Sequence, residues 1–303
     1  MLMAKKIKIT SEESGRRLDI FLTEKFADQS RSFWQKQIKR GAVTVNGENV
    51  AVHNFLKTGD VVEIGKQAAA EEKIVVSAKY KIIFQCPDYL VVEKPAGVLT
   101  HRAGKEPGLA DKLAKDFPEI KKVGEEGRWG IVHRLDREVS GVMVVARSKK
   151  FYADIKRQFE ERKTRKIYLG LVYGEVPRDE DDLNFAIGRG ESGKMAARPS
   201  GEEGREARTH FEVLAKFKNY TYLQIQIFTG RTHQIRAHML AYGYPIVGDK
   251  IYALRKQKIK DPDCGRIFLH SHLLGFADLK GNEVEYKSDL PKELMECLKK
   301  LKR

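Results

Sequence analysis

Three stretches of the chain carry side chains whose types and spacing could do chemistry. The first is Gly130–Ala146, where His133, Arg134, Leu135 and Asp136 follow a short apolar strand and a Ser140-Gly141 pair leads back into another. A carboxylate in a loop at a strand end, flanked by Arg134 and Arg137, is favoured in its ionised form. In a basic cleft it could act as a nucleophile or stabilise an oxocarbenium-like centre. Taken alone, such an aspartate serves equally well to cap a turn or pair with an arginine. The second stretch is Thr229–Asp249. Here Thr232 is expected to cap a helix, which would put Arg231 at a helix N-terminus facing a phosphate or a buried carboxylate. His233 and Arg236 follow about a turn apart, a pattern that a solvated basic helix face would also show. The third is Arg165–Tyr173, where Tyr168 and Tyr173 sit in a strand beside basic residues. Their rings could stack on an unpaired base or pack in a core.

Other chemistries find little support. His233 and His238, and His270 and His272, lack zinc-site spacing. There is no Walker-type phosphate loop and no G-x-S-x-G elbow, and Gly188-Arg189-Gly190 is too short a signal for a dinucleotide site. Cys86, Cys264 and Cys297 are far apart and odd in number, without a C-x-x-C pair, and read as reduced thiols of a cytosolic protein. The balance of 57 Lys+Arg against 42 Asp+Glu, a net charge of +15, favours a polyanionic partner. No apolar run approaches the ~20 residues of a membrane span. No apolar stretch follows the lysines at the N-terminus, so a secretory signal is not expected.

These side chains need elements to position them. In residues 1–66, Leu18, Phe21, Leu22 and Phe26 share one helix face. Ser30 is a plausible cap for a second helix over Arg31–Arg40, which carries Arg31, Lys36, Lys39 and Arg40 and ends at Gly41. Ala42–Val45 then alternates into the tight-turn pair Asn46-Gly47, and Val61–Ile64 reads as another strand. Lys66–Lys79 loses this pattern and is the expected linker (67–79 at its narrowest). From Tyr80 on, strands are expected at Ile82–Phe84, Tyr89–Glu93, Val142–Ala146, Ile167–Tyr173, His210–Leu214 and Tyr222–Phe228. Helices are expected over Lys149–Arg162 and Thr232–Tyr242, and Gly188–Glu206 reads as a mobile loop or long hairpin. Strands outnumber helices without βαβ alternation. The expected class is therefore α+β, with a largely antiparallel mixed sheet and flanking helices over residues 80–303, beside a small N-terminal α/β unit.

Together these constellations resemble the RluA-type family of pseudouridine synthases. The stretches that carry the likeness, in family order, are Glu93–Thr100, Val132–Gly141, Arg165–Gly174, Gly188–Thr209, Thr229–Tyr252 and His270–Phe276. They cover roughly residues 80–290. Residues 15–64 likewise resemble the RNA-binding domain of ribosomal protein S-four type, through Arg16–Asp19, Ser30–Ser32, Ile38–Val43 and Val45–Gly47. Two departures stand out. Val139 occupies a position where the family commonly has Thr, and the basic segment Leu254–Arg266 lies outside the family pattern, as a substrate-specific insertion or a solvated loop.

The resemblance implies that Asp136 is the catalytic residue and that Tyr168 packs against the target base, with a possible part in late proton removal at carbon 5. It implies that Arg231 pairs with Asp136 and that Arg134 fills the space of a flipped nucleotide. His133, His233 and Arg236 complete the expected substrate-binding set in this half of the chain, and Arg31, Lys36, Lys39 and Arg40 form it in the other. Lys156, Arg157, Lys163, Arg165 and Lys166 are further candidates for RNA backbone contacts. The implied reaction is redox-neutral and needs neither nucleotide cofactor nor metal. The expected partner is RNA, ribosomal of the large subunit before transfer RNA, with no membrane, and the expected protein is a cytoplasmic monomer. The competing reading is a non-catalytic RNA-binding or ribosome-assembly factor, for which the N-terminal unit and the charge would suffice.

Overall fold

The computed structural model describes residues 5–26, 29–65, 80–104, 106–190, 193–198, 204–254 and 259–302, without the side chains of Ser32 and Lys36. It divides into two units, Met1–Val75 and Val76–Arg303. The expected linker lies outside the described residues.

In the first unit, β1 (Lys5–Lys8), α1 (Leu18–Lys25), α2 (Arg31–Lys39), β2 (Val43–Val45), β3 (Glu48–Asn49) and β4 (Val61–Ile64) follow one another. The strands form an antiparallel sheet in the order β1-β4-β2-β3. The apolar face of α1 (Leu18, Phe21, Leu22) meets Trp34 and Ile38 of α2 and Val43, Val62 and Ile64 of the sheet in one buried cluster. The Ser30 hydroxyl accepts from the Phe33 amide at 3.2 Å, as a cap should. Asn46 and Gly47, at φ 54 and 81, make the tight turn between β2 and β3.

The second unit is built on a nine-stranded sheet. Its elements are β5 (Lys81–Gln85), β6 (Tyr89–Lys94), α3 (Leu109–Asp116), β7 (Ser140–Ala146), α4 (Lys149–Glu160), β8 (Arg165–Tyr173), β9 (Glu180–Leu183), β10 (Ala186–Arg189), β11 (Met195–Arg198), β12 (Thr209–Phe217), β13 (Tyr220–Ile227), α5 (Gln234–Ala241), β14 (Leu269–Ala277), β15 (Glu283–Lys287) and α6 (Lys292–Lys300). The order is β5-β6-β7-β14-β8-β13-β12-β9, with β15 on β14 and β10–β11 as a separate hairpin. Every pair is antiparallel except β7 with β14. That parallel contact is confined to His270 against Ser140 and Ser271 against Gly141, after which β15 takes over the same edge of β14. The mostly antiparallel α+β architecture is therefore as expected.

Local details depart from expectation. Helix α5 starts at Gln234, not at Thr232, and its cap is His233 in the left-handed region at φ 56. Cys264 and Cys297 are joined in a disulfide across 33 residues, whereas reduced thiols were expected. The packing of α6 brings these two buried sulfurs together, a proximity that sequence spacing cannot reveal. No helix of the described residues is long and apolar enough to cross a membrane.

Candidate active site

Asp136 sits in the loop that leads into β7, and that loop is held from both sides. On one side is the segment after β6. The Thr100 hydroxyl donates to the Leu135 carbonyl at 2.8 Å and accepts the Leu135 amide at 3.1 Å. The Gly97 amide donates to the Arg137 carbonyl at 2.7 Å. Lys94, fully buried, spends its ammonium on the carbonyls of Pro95 (2.9 Å), Val98 (2.7 Å) and Arg137 (3.2 Å). Burial pushes Lys94 down to about 7, against the pull of Asp136 and Glu138.

On the other side, Arg266 donates to the Glu138 carbonyl at 3.3 Å and to Ser140 Oγ at 2.7 Å. His270 Nε2 faces the Ser288 carbonyl at 3.1 Å and must donate to it, leaving Nδ1 to accept the Ser140 hydroxyl at 2.8 Å. Burial holds His270 down at about 4, so the ring is neutral at neutral pH. Gly141 allows the close approach of β7 to β14. Its φ is 126, and a Cβ there would lie 2.2 Å from the Ser271 carbonyl oxygen.

From this loop Asp136 faces a cleft of about 90 Å³ lined by Arg134, Asp136, Tyr168, Arg231, His233 and Arg236, among others. Among the described residues, Asp136 is the one carboxylate in that lining. Its Oδ2 accepts from Arg236 Nη1 at 3.0 Å. The same guanidinium grips Asp249 bidentately, at 2.6 Å through Nε and 2.9 Å through Nη2, and lies 5.1 Å from the Tyr252 ring centroid. Asp249 also accepts the amides of Ile251 and Tyr252 at 2.8 and 3.0 Å, so this buried carboxylate is fully satisfied. Burial works against the Arg236 charge, but Asp249 and Asp136 outweigh it and raise its pKa. On the other side of Asp136, His233 Nε2 stands 3.8 Å from Oδ1, and His233 Nδ1 shares a 3.0 Å hydrogen bond with the Tyr252 hydroxyl. Burial first, and then the cation Arg236, lower the His233 pKa, partly offset by Asp136. Tyr168 is buried on β8; burial and then Asp136 raise its phenol, which stays protonated despite a hydrogen bond with Ser271.

The partner of Asp136 is therefore Arg236, not Arg231. Because α5 begins at Gln234, Arg236 lies in its first turn with its side chain buried, and Arg231 remains in the preceding turn. That turn is locked by Gln234, whose Oε1 accepts the Arg231 amide at 3.0 Å and the Thr229 hydroxyl at 2.7 Å. Arg231 lines the cleft but donates its Nε to the Glu206 carbonyl at 3.0 Å.

His133 is turned away from the cleft lining. Its Nε2 accepts the Val144 amide at 3.1 Å and its ring stacks on Phe159 at 4.7 Å, so it pins the loop to β7. Burial, then Lys166, pushes its pKa down to about 3. Among the expected backbone contacts, Arg157, Lys163 and Arg165 are paired with Asp154, Glu161 and Glu285 at 2.6, 2.7 and 2.7 Å. Lys156 approaches Glu160 at 3.9 Å, and Lys166 is buried with its ammonium 5.6 Å from the Phe159 ring centroid. In the first unit Arg31, Lys39 and Arg40 are exposed, and the Lys36 side chain lies outside the described residues. Arg266, at the end of the basic segment, is part of the scaffold rather than a solvated cation.

Sequence reading missed Lys94, Asp249, Tyr252 and the Ser140–His270–Arg266 network. Lys94, Ser140, Asp249, Tyr252 and His270 all lie inside the stretches that carry the family likeness, but nothing in their types told them apart from their neighbours.

The family of RNA pseudouridylate synthases matches residues 88–241, and the S4 domain matches residues 16–62. The RNA pseudouridine synthase YlyB of Bacillus subtilis is 31% identical, covering 98% of each chain. The ribosomal large subunit pseudouridine synthase D of Pseudomonas aeruginosa is 34% identical over 82% of this chain and 77% of its own. Among solved structures, human RNA pseudouridylate synthase domain containing 1 superposes with a TM-score of 0.60 at 27% identity, covering 72% of this chain and 87% of its own.

Proposed function

This chain belongs to the RNA pseudouridylate synthase family and is an isomerase of uridine in RNA; from that premise we propose that Asp136 is the carboxylate that acts on the target nucleotide, and that the target lies in large-subunit ribosomal RNA. One observation carries the assignment of Asp136. Among the described residues it is the one carboxylate lining the cleft, and it is held there by an arginine that a second, buried carboxylate keeps in place. The ribosomal target draws on the name of the Pseudomonas relative and on the N-terminal S4 domain.

The reaction breaks the bond between N1 of uracil and C1′ of the sugar, turns the base, and joins C5 to C1′. The proton on C5 leaves and N1 gains one, so atoms balance without a cofactor. Asp136 can serve by adding to C1′, by adding to C6 of the base, or by taking a sugar proton on a glycal route. In each case it must be ionised and held still. Arg236 supplies the countercharge, and the loop clamps around Lys94 and Arg266 supply the rigidity. Tyr168 offers the base a ring face. Its raised pKa keeps the phenol neutral, which favours packing over proton removal as its role. The nucleotide must leave its stack to enter, at a cost of a few kcal/mol. Arg134 is exposed at the cleft and makes no hydrogen bond or ion pair among the described residues, which suits it to fill the space left behind.

Two measurements test this reading. Wild type and Asp136→Asn are compared for uridine conversion in large-subunit ribosomal RNA transcripts; equal conversion would remove Asp136 from the chemistry. A pseudouridine map of RNA from cells with and without the protein identifies the target. A change confined to transfer RNA would overturn the ribosomal assignment.

A further inference from the structure

Beside the cleft, Arg162 and Arg231 both meet Glu206, and Arg205 lies near enough to Arg231 to repel it. Arg162 follows α4 at φ 60 and forms a two-pronged contact with the Glu206 carboxylate, 2.9 Å through each Nη. Arg231 donates its Nε to the Glu206 main-chain carbonyl and makes no ion pair among the described residues. Arg205 adjoins Glu206 in sequence, is exposed, and likewise has no carboxylate partner among them. Among the described residues, three cations with one carboxylate leave a surplus of two positive charges. The crowding is felt: burial first, then Arg205 and Arg162, depress the Arg231 pKa. Since an arginine does not deprotonate near neutral pH, only another anion can relieve this repulsion.

We propose that Arg162, Arg205 and Arg231 form a receptor for an RNA backbone phosphate next to the nucleotide in the cleft, and that Glu206 occupies it in the free protein as the phosphate's stand-in. The fork that Arg162 presents to Glu206 fits a phosphate equally well. The Glu206 side chain is 69% exposed, so its ion pair is weakly held in water and exchange is cheap. Arg231 belongs both to this cluster and to the lining that holds Asp136, which ties the phosphate to the reacting nucleotide. The inference rests on the reading of the cleft as the uridine site.

The sign of one substitution tests it. Binding of a fluorescein-labelled oligouridylate is measured by anisotropy over a range of salt concentrations. Glu206→Gln removes the competitor and should tighten Kd, up to about fivefold, the scale of an exposed ion pair. Arg162→Gln and Arg205→Gln should each weaken binding and lower the salt slope by about 0.7, the single-strand value. Glu206→Gln should gain nothing when combined with Arg162→Gln. Weaker or unchanged binding by Glu206→Gln, or unaltered salt slopes for the arginine variants, would overturn the proposal. Conversion of ribosomal RNA transcripts by the wild type, run alongside, separates the two failures. If the wild type converts uridine and the binding pattern is absent, the phosphate receptor alone is wrong.

Discussion

The two units hold the same two functional groups in opposite arrangements. In the first, the fully buried carboxylate of Asp19 holds Arg17 and Arg31, whose side chains are 28% and 48% exposed. Burial would raise Asp19, but hydrogen bonds from Gln35, Arg31 and Arg17 prevail and bring it to about 2. In the second, the buried Arg236, 3% exposed, holds Asp136, 15% exposed. The buried member of each pair must be fully satisfied and so belongs to the scaffold. In the proposed function, the exposed member is the one offered to the partner. The first unit thus presents cations, suited to backbone phosphates, and the second presents an anion, suited to the sugar or the base. The contrast predicts that exposed members control function and buried members control stability.

The largest expected effect breaks or supports the catalytic half. Asp136→Asn should lower single-turnover conversion by at least ~10⁴-fold while shifting stability by no more than about 1 kcal/mol. A comparable loss of stability would mean that Asp136 is itself scaffold. Next comes Arg236→Met, which strands Asp249 in the interior. It should destabilise the protein by about 3–5 kcal/mol, read from denaturant melts, and an unchanged midpoint would undo the ranking of the pair.

The third effect is a pH dependence. His270 is buried and neutral, with a folded pKa of about 4 against an ordinary value of 6.5. Between those values the unfolded chain binds more protons than the folded one. Stability should therefore fall as pH drops from 6.5 to about 4, by on the order of 3 kcal/mol from this group. In His270→Gln that part of the slope should vanish; an identical acid profile would show that the ring is not held neutral. The smallest effect lies in the first unit. Arg31→Gln should weaken RNA binding by less than about tenfold and lower the salt slope by about 0.7–0.9, with little change in the melt. A large stability loss and an unaltered slope would reverse the assignment of Arg31 as the presented group.

Much of this molecule was legible in advance. Periodicity located α1 and α4 because each buries one face. Runs of β-branched and aromatic residues located β5 to β8, of which β6 to β8 are buried on both faces, and Asn46-Gly47 marked its turn because few residues adopt those dihedrals. Helix α5 was located, but its first turn was not. Thr232 looks like a cap, yet Gln234 satisfies the preceding amide with its side chain and His233 takes the left-handed position. Those two residues decided which arginine meets Asp136. Strand β14 and the disulfide depend on partners dozens of residues away, β15 depends on β14, and none of them left a local mark.

The sequence by itself determined the family, the mostly antiparallel architecture and the cleft-lining residues Asp136, Tyr168, Arg134 and His233, because residue types and their order along the chain suffice for those. Only the tertiary structure decided that Arg236 rather than Arg231 holds Asp136, that His133 pins a strand, and that a buried Lys94 and Asp249 complete the scaffold. Pairing and burial are properties of distance in space. A hundred positions separate Asp136 from Arg236 in the sequence, and 3.0 Å separates their atoms in the fold.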